Sequence, residues 1–301
     1  ALERDAAGAY WNWVAAGQRL RIARELLAIA ERRDAALNEQ AGAGAIEEIK
    51  LVDNRRLVLD RMVKVVESER KFREAEIKLS LFFRDAAARP VRPGEQRVPS
   101  QFPEPRLQDL GPVDVAVERA TASRPEFAAL QAQRRAAKVQ LRLARNQIAP
   151  ELELQGFVAK DFGAGPDELA PVEWGAGVSF ELPLALRKAR GAYRTAKAEL
   201  AAIDAKLRGL RDKVGAEVQQ AMVDLKAAQQ SVALTRAQQQ AAERLAEAER
   251  VRLREGASDL VVVNIRELAA ADAATKAVEA LAGYQQAWAR LATATGSSPR
   301  V

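Results

Sequence analysis

Two hydrophobic rhythms divide this chain. Over most of its length apolar residues recur three and four positions apart, the spacing that puts them on one side of an α-helix. Between residues 150 and 183 the rhythm changes to two. There Val172, Trp174, Ala176, Val178, Phe180 and Leu182 alternate with Glu173, Gly175, Gly177, Ser179 and Glu181. One face of that segment is therefore apolar and the other small or polar. With 151–160 before it, the stretch predicts a strand pair, each strand about ten residues long, the length a tilted strand needs to cross a bilayer. A lone hairpin has no core to rest on, so it is expected to be completed by copies of itself, and a closed membrane barrel is one such assembly. A soluble, half-buried sheet gives the same alternation, but no further strands are predicted to complete it.

The helical part reads as two antiparallel hairpins. Residues 5–40 form a first arm through Leu20, Ala23, Leu27, Ala30 and Leu37; Gly42 and Gly44 mark the turn; a return arm over 46–84 carries Ile49, Val52, Leu59, Met62, Val66 and Leu79. A segment rich in Pro and Gly, 89–112, excludes helix and reads as an extended linker. A short helix over 113–122 follows. Ser123-Arg-Pro-Glu126 then signals a new helix start with Ser as the cap, and that helix ends at Pro150. From 186 to 254 runs one helix of roughly 70 residues, about 100 Å at 1.5 Å per residue. Its seam passes through Leu200, Ile203, Leu207, Leu210 and Val214, then Val218, Ala221, Leu225, Ala228 and Val232, a heptad pattern with one stutter. After Glu255-Gly-Ala-Ser-Asp259 a return arm covers 260–294.

The expected architecture is mainly α: long antiparallel coiled-coil helical hairpins in two repeats, with one β-hairpin contributing to an oligomeric transmembrane β-barrel. The divisions are 1–88 (first hairpin), 89–112 (linker), 113–149 (helix of the second repeat), 150–183 (transmembrane β-hairpin), 184–296 (second, long hairpin) and 297–301 (tail). Ile49-Lys-Leu-Val-Asp-Asn-Arg-Arg-Leu57 lies over Leu260-Val-Val-Val-Asn-Ile-Arg-Glu-Leu268 without a gap, which marks the two hairpins as an internal repeat. Only the second unit carries a strand pair and the long arm.

Composition narrows the function. The 301 residues hold 47 basic and 41 acidic side chains, a net charge of +6, interleaved along the helices as solvated faces rather than gathered into a nucleic-acid patch. With no Cys and no His, thiol chemistry, imidazole bases and the usual zinc ligands are excluded, and no cofactor is implied. Glu151 with Glu153, and Asp167 with Glu168, are adjacent carboxylates with no nucleophile or base beside them, so an enzyme is not expected. No run of about 18 apolar residues could form a membrane helix.

Several short motifs, in this order and spacing over residues 1–296, resemble the TolC-like outer-membrane efflux channels. They are Arg124-Pro-Glu126 at a helix start, Ile148-Ala-Pro-Glu-Leu-Glu-Leu154 entering a strand and Gly177-Val-Ser-Phe-Glu-Leu-Pro-Leu184 leaving one. Glu255-Gly-Ala-Ser-Asp-Leu260 and Val263-Asn-Ile-Arg-Glu267 mark a hairpin tip. The resemblance implies a trimeric tube, a β-barrel in the outer membrane continued by a helical barrel through the periplasm. It would serve a tripartite efflux or type I secretion system alongside a periplasmic adaptor and an inner-membrane pump. Each subunit of such a tube supplies two strand pairs, whereas this sequence shows one, so the chain is expected to be a fragment lacking the first pair; a ring of six chains is the other arrangement.

On that reading Val172, Trp174, Val178, Phe180 and Leu182 face lipid, and the loop 161–171 is extracellular. Gly42, Gly44, Gly256, Ser258, Asp259 and Leu260 form the tips that meet the adaptor, although the same glycines serve equally well as helix caps. Asp53, Asn264, Arg266 and Glu267 are the candidate pore gate, where a ring of like charge would select ions by sign. A coiled-coil scaffold without a transport role, or an adaptor-like interaction protein, is the competing reading.

Overall fold

The computed structural model describes residues 2–42, 47–105, 111–160, 162, 172–181 and 187–297. Helices α1 (Leu2–Gly42), α2 (Glu48–Ser80), α3 (Val113–Ser123), α4 (Pro125–Asn146), α5 (Arg187–Arg254) and α6 (Leu260–Ala294) alternate with strands β1 (Glu151–Ala159) and β2 (Glu173–Glu181) in the order α1-α2-α3-α4-β1-β2-α5-α6. The chain divides into one unit of residues 1–123 with 214–301 and another of 124–213, α5 contributing to both.

In the first unit α1 packs closely on α2 and on α6. The core is aromatic: Trp11, Trp13, Leu20, Phe72 and Leu79 are buried together with Val98 and Phe102. The ring of Trp13 stacks on Phe72 with centroids 6.4 Å apart, and that of Trp11 stacks on Phe102 at 5.7 Å. Val98 and Phe102 belong to the Pro-rich segment, whose described residues carry no α-helix before Val113 but make one 3-10 turn at Glu95–Arg97, and which is not a free spacer. It lies across α1 as a belt. Arg21 Nη2 donates to the carbonyls of Val98 and Pro99 at 3.0 and 3.1 Å, and Gln18 Nε2 donates to Pro99 O at 3.3 Å. Farther along, Gln285 of α6 donates to Pro103 O, and Arg236 of α5 forms a bidentate pair with Glu104 at 2.7 and 3.0 Å. Because prolines lack an N–H, the belt bonds through its carbonyls, and the donors come from long side chains on the helices.

Two expectations are corrected here. Ser123 does not cap α4: its hydroxyl donates to Arg119 O and to Thr295 O, at 2.8 and 3.0 Å, and so fastens α3 to the end of α6. Arg124, with φ −75° and ψ 129°, occupies the cap position, and the fixed φ of Pro125 starts the helix. The second correction concerns the return arm. Of Ile49, Val52, Leu59, Met62, Val66 and Leu79, only Leu79 is buried, while the others are exposed. The face of α2 that meets the rest of the chain runs through Asn54, Arg61, Phe72, Ala75, Glu76 and Leu79. Polar side chains occupy the seam near the tip, with Asn54 Nδ2 donating to Asp34 and Arg61 to Leu26 O and Glu267 on other helices, and the most apolar stripe is exposed. The gapless repeat likewise does not carry over into environment: Val263 and Glu267 are buried, whereas the aligned Val52 and Arg56 are exposed.

In the second unit α4 lies against the first part of α5, with Phe127, Ala137, Ala144, Ala196 and Ile203 buried and Arg134 Nε 2.6 Å from Asp204 Oδ1. The strand pair follows α4.

Candidate functional site

The strands pair antiparallel from Glu151 opposite Glu181 to Ala159 opposite Glu173. That register puts Leu152 beside Phe180, Leu154 beside Val178 and Val158 beside Trp174, all on one face. The opposite face carries Glu151 and Glu181, Glu153 and Ser179, Gln155 and Gly177, Phe157 beside Gly175, and finally Ala159 beside Glu173. The alternation of β1, which matches that of β2, thus adds Leu152, Leu154 and Val158 to the apolar face. Phe157 is the exception on the polar face. Its ring lies over Gly175, where a Cβ would stand 2.5 Å from Phe157 Cε1, so no other residue fits there without moving the ring.

The six large apolar side chains on the first face are 63–78% exposed. At about 1.5–3 kcal/mol for each side chain left in water, an uncovered face costs on the order of 10 kcal/mol. Among the described residues the sheet has two strands, so each also leaves an outer edge of N–H and C=O groups without a neighbouring strand, which must be paired before the ribbon can enter lipid. Val172 is exposed, while Leu182 and nearly all of the loop lie outside the described residues.

At the tip between α5 and α6 the geometry is that of a Schellman turn. Gly256 has φ +75°, Ala257 N donates to Arg252 O at 2.8 Å, and Gly256 N donates to Leu253 O at 3.1 Å. Ser258 is half-buried and donates to Glu249 Oε1 at 2.5 Å. Asp259 caps α6 by accepting from Val262 N at 2.9 Å, and Leu260 begins that helix. Gly42 is exposed, and Gly44 lies outside the described residues.

The gate residues divide. Asp53 and Arg266 are exposed on their helices. Glu267 is not: its side chain is fully buried and receives three guanidinium groups, Arg33 Nη2 at 2.6 Å, Arg250 Nε at 3.0 Å and Arg61 Nη2 at 3.1 Å. Asn264 Oδ1 accepts from Arg33 Nη1. One carboxylate therefore ties α1, α2 and α5 to α6, and both of its oxygens are taken up by arginines. Burial by itself would raise the Glu267 pKa; the charge of Arg33 and the hydrogen bonds from Arg250, Arg33 and Arg61 outweigh it and hold the carboxyl below its ordinary value. Arg33, Arg61 and Arg250 gave no signal in the sequence, because an arginine on a long helix reads as surface.

Residues 116–297 match the family model described as outer membrane efflux protein. The chain belongs to that family. Among solved structures, a membrane protein from Pseudomonas aeruginosa superposes with a TM-score of 0.71 at 20% identity, over 97% of this chain and 67% of that one. The open state of the Neisseria gonorrhoeae MtrE outer membrane channel gives 0.73 at 17%, over 99% and 66%. The outer membrane protein VceC of Vibrio cholerae gives 0.68 at 17%, over 99% and 70%. At these identities the likeness is one of fold, and this outer membrane efflux chain spans about two thirds of the length of each. No curated protein matches it in sequence.

Proposed function

We propose that this chain is a subunit of an outer-membrane channel that passes substrate from the periplasm to the exterior as part of a tripartite efflux or type I secretion system. The observation that carries the reading is the ribbon, apolar on one face and acidic or small on the other, uncovered on both. Lipid is the occupant that suits the face of Leu152, Leu154, Val158, Trp174, Val178 and Phe180.

Self-assembly is supported by a second seam on α5. Val223, Ala227, Leu234, Ala237, Ala241, Leu245 and Ala248, spaced three or four apart except where Gln230 stands between Ala227 and Leu234, lie on the side away from its buried seam, and all are exposed. Val52, Leu59, Val63 and Val66 form a comparable stripe on α2. A helix with two seams wants neighbours on both sides, and two different stripes on one subunit suit a head-to-tail ring of copies. Three copies of this ribbon give six strands, fewer than a barrel with an open interior needs, so copy number is a decisive quantity. The exposed tip at Gly42, Gly256 and Asp259 is the surface proposed for a periplasmic adaptor, with the inner-membrane pump beyond it.

Planar-bilayer recording of the detergent-purified chain, with its mass in detergent, tests the proposal. Conductance steps from an oligomer are expected, and Val178→Asp on the lipid face should abolish insertion. A protein that is monomeric and soluble without detergent and passes no current would favour the scaffold reading instead.

A further inference from the structure

Charge stops alternating where the helices meet the strand pair. The last part of α4, residues 134–146, and the first part of α5, residues 187–198, together hold ten basic side chains and no acidic one. That exceeds the net +6 of the whole chain, so the remaining residues are net negative. Of the ten, Arg134 is paired with Asp204 at 2.6 Å. The other nine are exposed, and none of them has an ion pair among the described residues. The carboxylates next along the chain, Glu151, Glu181 and Glu199, pair with none of them.

The spacing gathers these charges. Arg135, Lys138, Arg142 and Arg145 follow steps of three, four and three along α4, which puts all four on one face. Arg187, Arg190, Arg194 and Lys197 repeat the same steps along α5. Like charges at these spacings repel, and the first turn of α5 has no acidic residue where a helix N-terminus favours one. On α4 each cation comes one residue after a buried or half-buried position, Arg134, Ala137, Leu141 and Ala144; on α5 Arg190, Arg194 and Lys197 follow Ala189, Tyr193 and Ala196. One residue is a turn of about 100° round a right-handed helix. The strand hairpin makes α4 and α5 antiparallel, and Arg134 of one seam reaches Asp204 beside the other. From facing seams on antiparallel helices, the same turn carries both stripes to one side of the pair. Val139 and Leu143, 60% and 50% exposed, stand beside the stripe of α4, apolar where the wall of a water-filled pore would not favour them.

We propose that this band binds the anionic headgroups of phospholipids in the leaflet that the helices meet. Headgroup phosphates neutralise such a strip of cations, while its apolar side chains and the stems of Arg and Lys dip toward the acyl chains. The inference rests on the ribbon entering lipid, as proposed above, and adds which lipid surrounds its base.

The test is flotation of the purified full chain, diluted from detergent, with vesicles of phosphatidylcholine alone or of phosphatidylcholine and phosphatidylglycerol in equal parts. Binding to both is expected, with half-saturation at a far lower lipid concentration for the anionic vesicles and a difference that shrinks as salt rises. A charge near an anionic surface is worth roughly fivefold in binding. The pair Arg142→Gln and Arg145→Gln, or Arg190→Gln and Arg194→Gln, should therefore weaken binding to anionic vesicles on the order of twentyfold and leave binding to phosphatidylcholine unchanged. Lys226→Gln with Arg244→Gln removes as much charge elsewhere on α5 and should change neither. Equal binding of wild type to the two vesicles would overturn the proposal and leave the channel reading intact, whereas failure to bind either would overturn both. Paired variants that bind anionic vesicles like wild type, but make the channel less selective for anions in bilayer recording, would place the band on the pore and overturn the proposal as well.

Discussion

Glutamine at position 267 is the sharpest probe of how the four helices are joined. The substitution keeps the shape and one carbonyl oxygen, but removes the charge that three arginines share and turns a donor toward them. The lost bonds are charge-assisted and measure 2.6, 3.0 and 3.1 Å. Breaking a buried pair by removing one partner costs roughly 3–5 kcal/mol, because the other charge stays buried. Here Glu267 is fully enclosed, but Arg250 is 34% exposed and can turn to water, so its share is discounted and the low end applies, about 3 kcal/mol. Urea unfolding of the full chain measures it. The exposed i,i+4 pair Arg56–Asp60, 68% and 63% exposed, is the control: Asp60→Asn should cost under about 0.5 kcal/mol. Glu267→Leu combined with Arg61→Met should recover part of the loss, since apolar side chains replace that buried pair at little cost, while Arg33, 13% exposed, still loses its carboxylate. A loss below about 1 kcal/mol for Glu267→Gln, or a double variant no more stable than the single one, would refute this account of the Glu267 cluster.

The same carboxylate sets an acid limit. Its folded pKa lies below the ordinary 4.5, so as pH falls the unfolded chain takes up the proton first. The stabilisation is complete above that value and drains away as pH drops through the folded pKa; the urea midpoint should fall in that window for wild type and fall less steeply for Glu267→Gln. At the belt, a Cβ on Gly17 would lie 2.7 Å from both Val98 methyl carbons. Gly17→Ala should therefore cost about 1–2 kcal/mol by overpacking, and the pair Gly17→Ala with Val98→Ala should return much of it. Thermal unfolding of the three variants decides, and equal losses for single and double variants would mean that the contact does not matter.

The elements themselves were legible in the sequence because their causes are local. A period of two over 172–182, the prolines of 89–112 and the seam of α5 each act within a few residues, and helices, ribbon and family resemblance followed from them. The candidate site was legible in part. The apolar face of β2 could be named residue by residue, whereas the gate could not, since Asp53 and Glu267 look alike as sequence and differ in what surrounds them.

What the chain alone determined, then, is where it is helix, where it is strand and which strand face is apolar. Only the tertiary structure decided which of two stripes on α2 turns inward, that the Pro-rich segment clasps α1, and that Glu267 is enclosed by arginines from three other helices. The physical reason is that periodicity is a property of one element. The environment of a charge depends on residues more than two hundred positions away, as Arg61 and Glu267 are, and no local pattern records them.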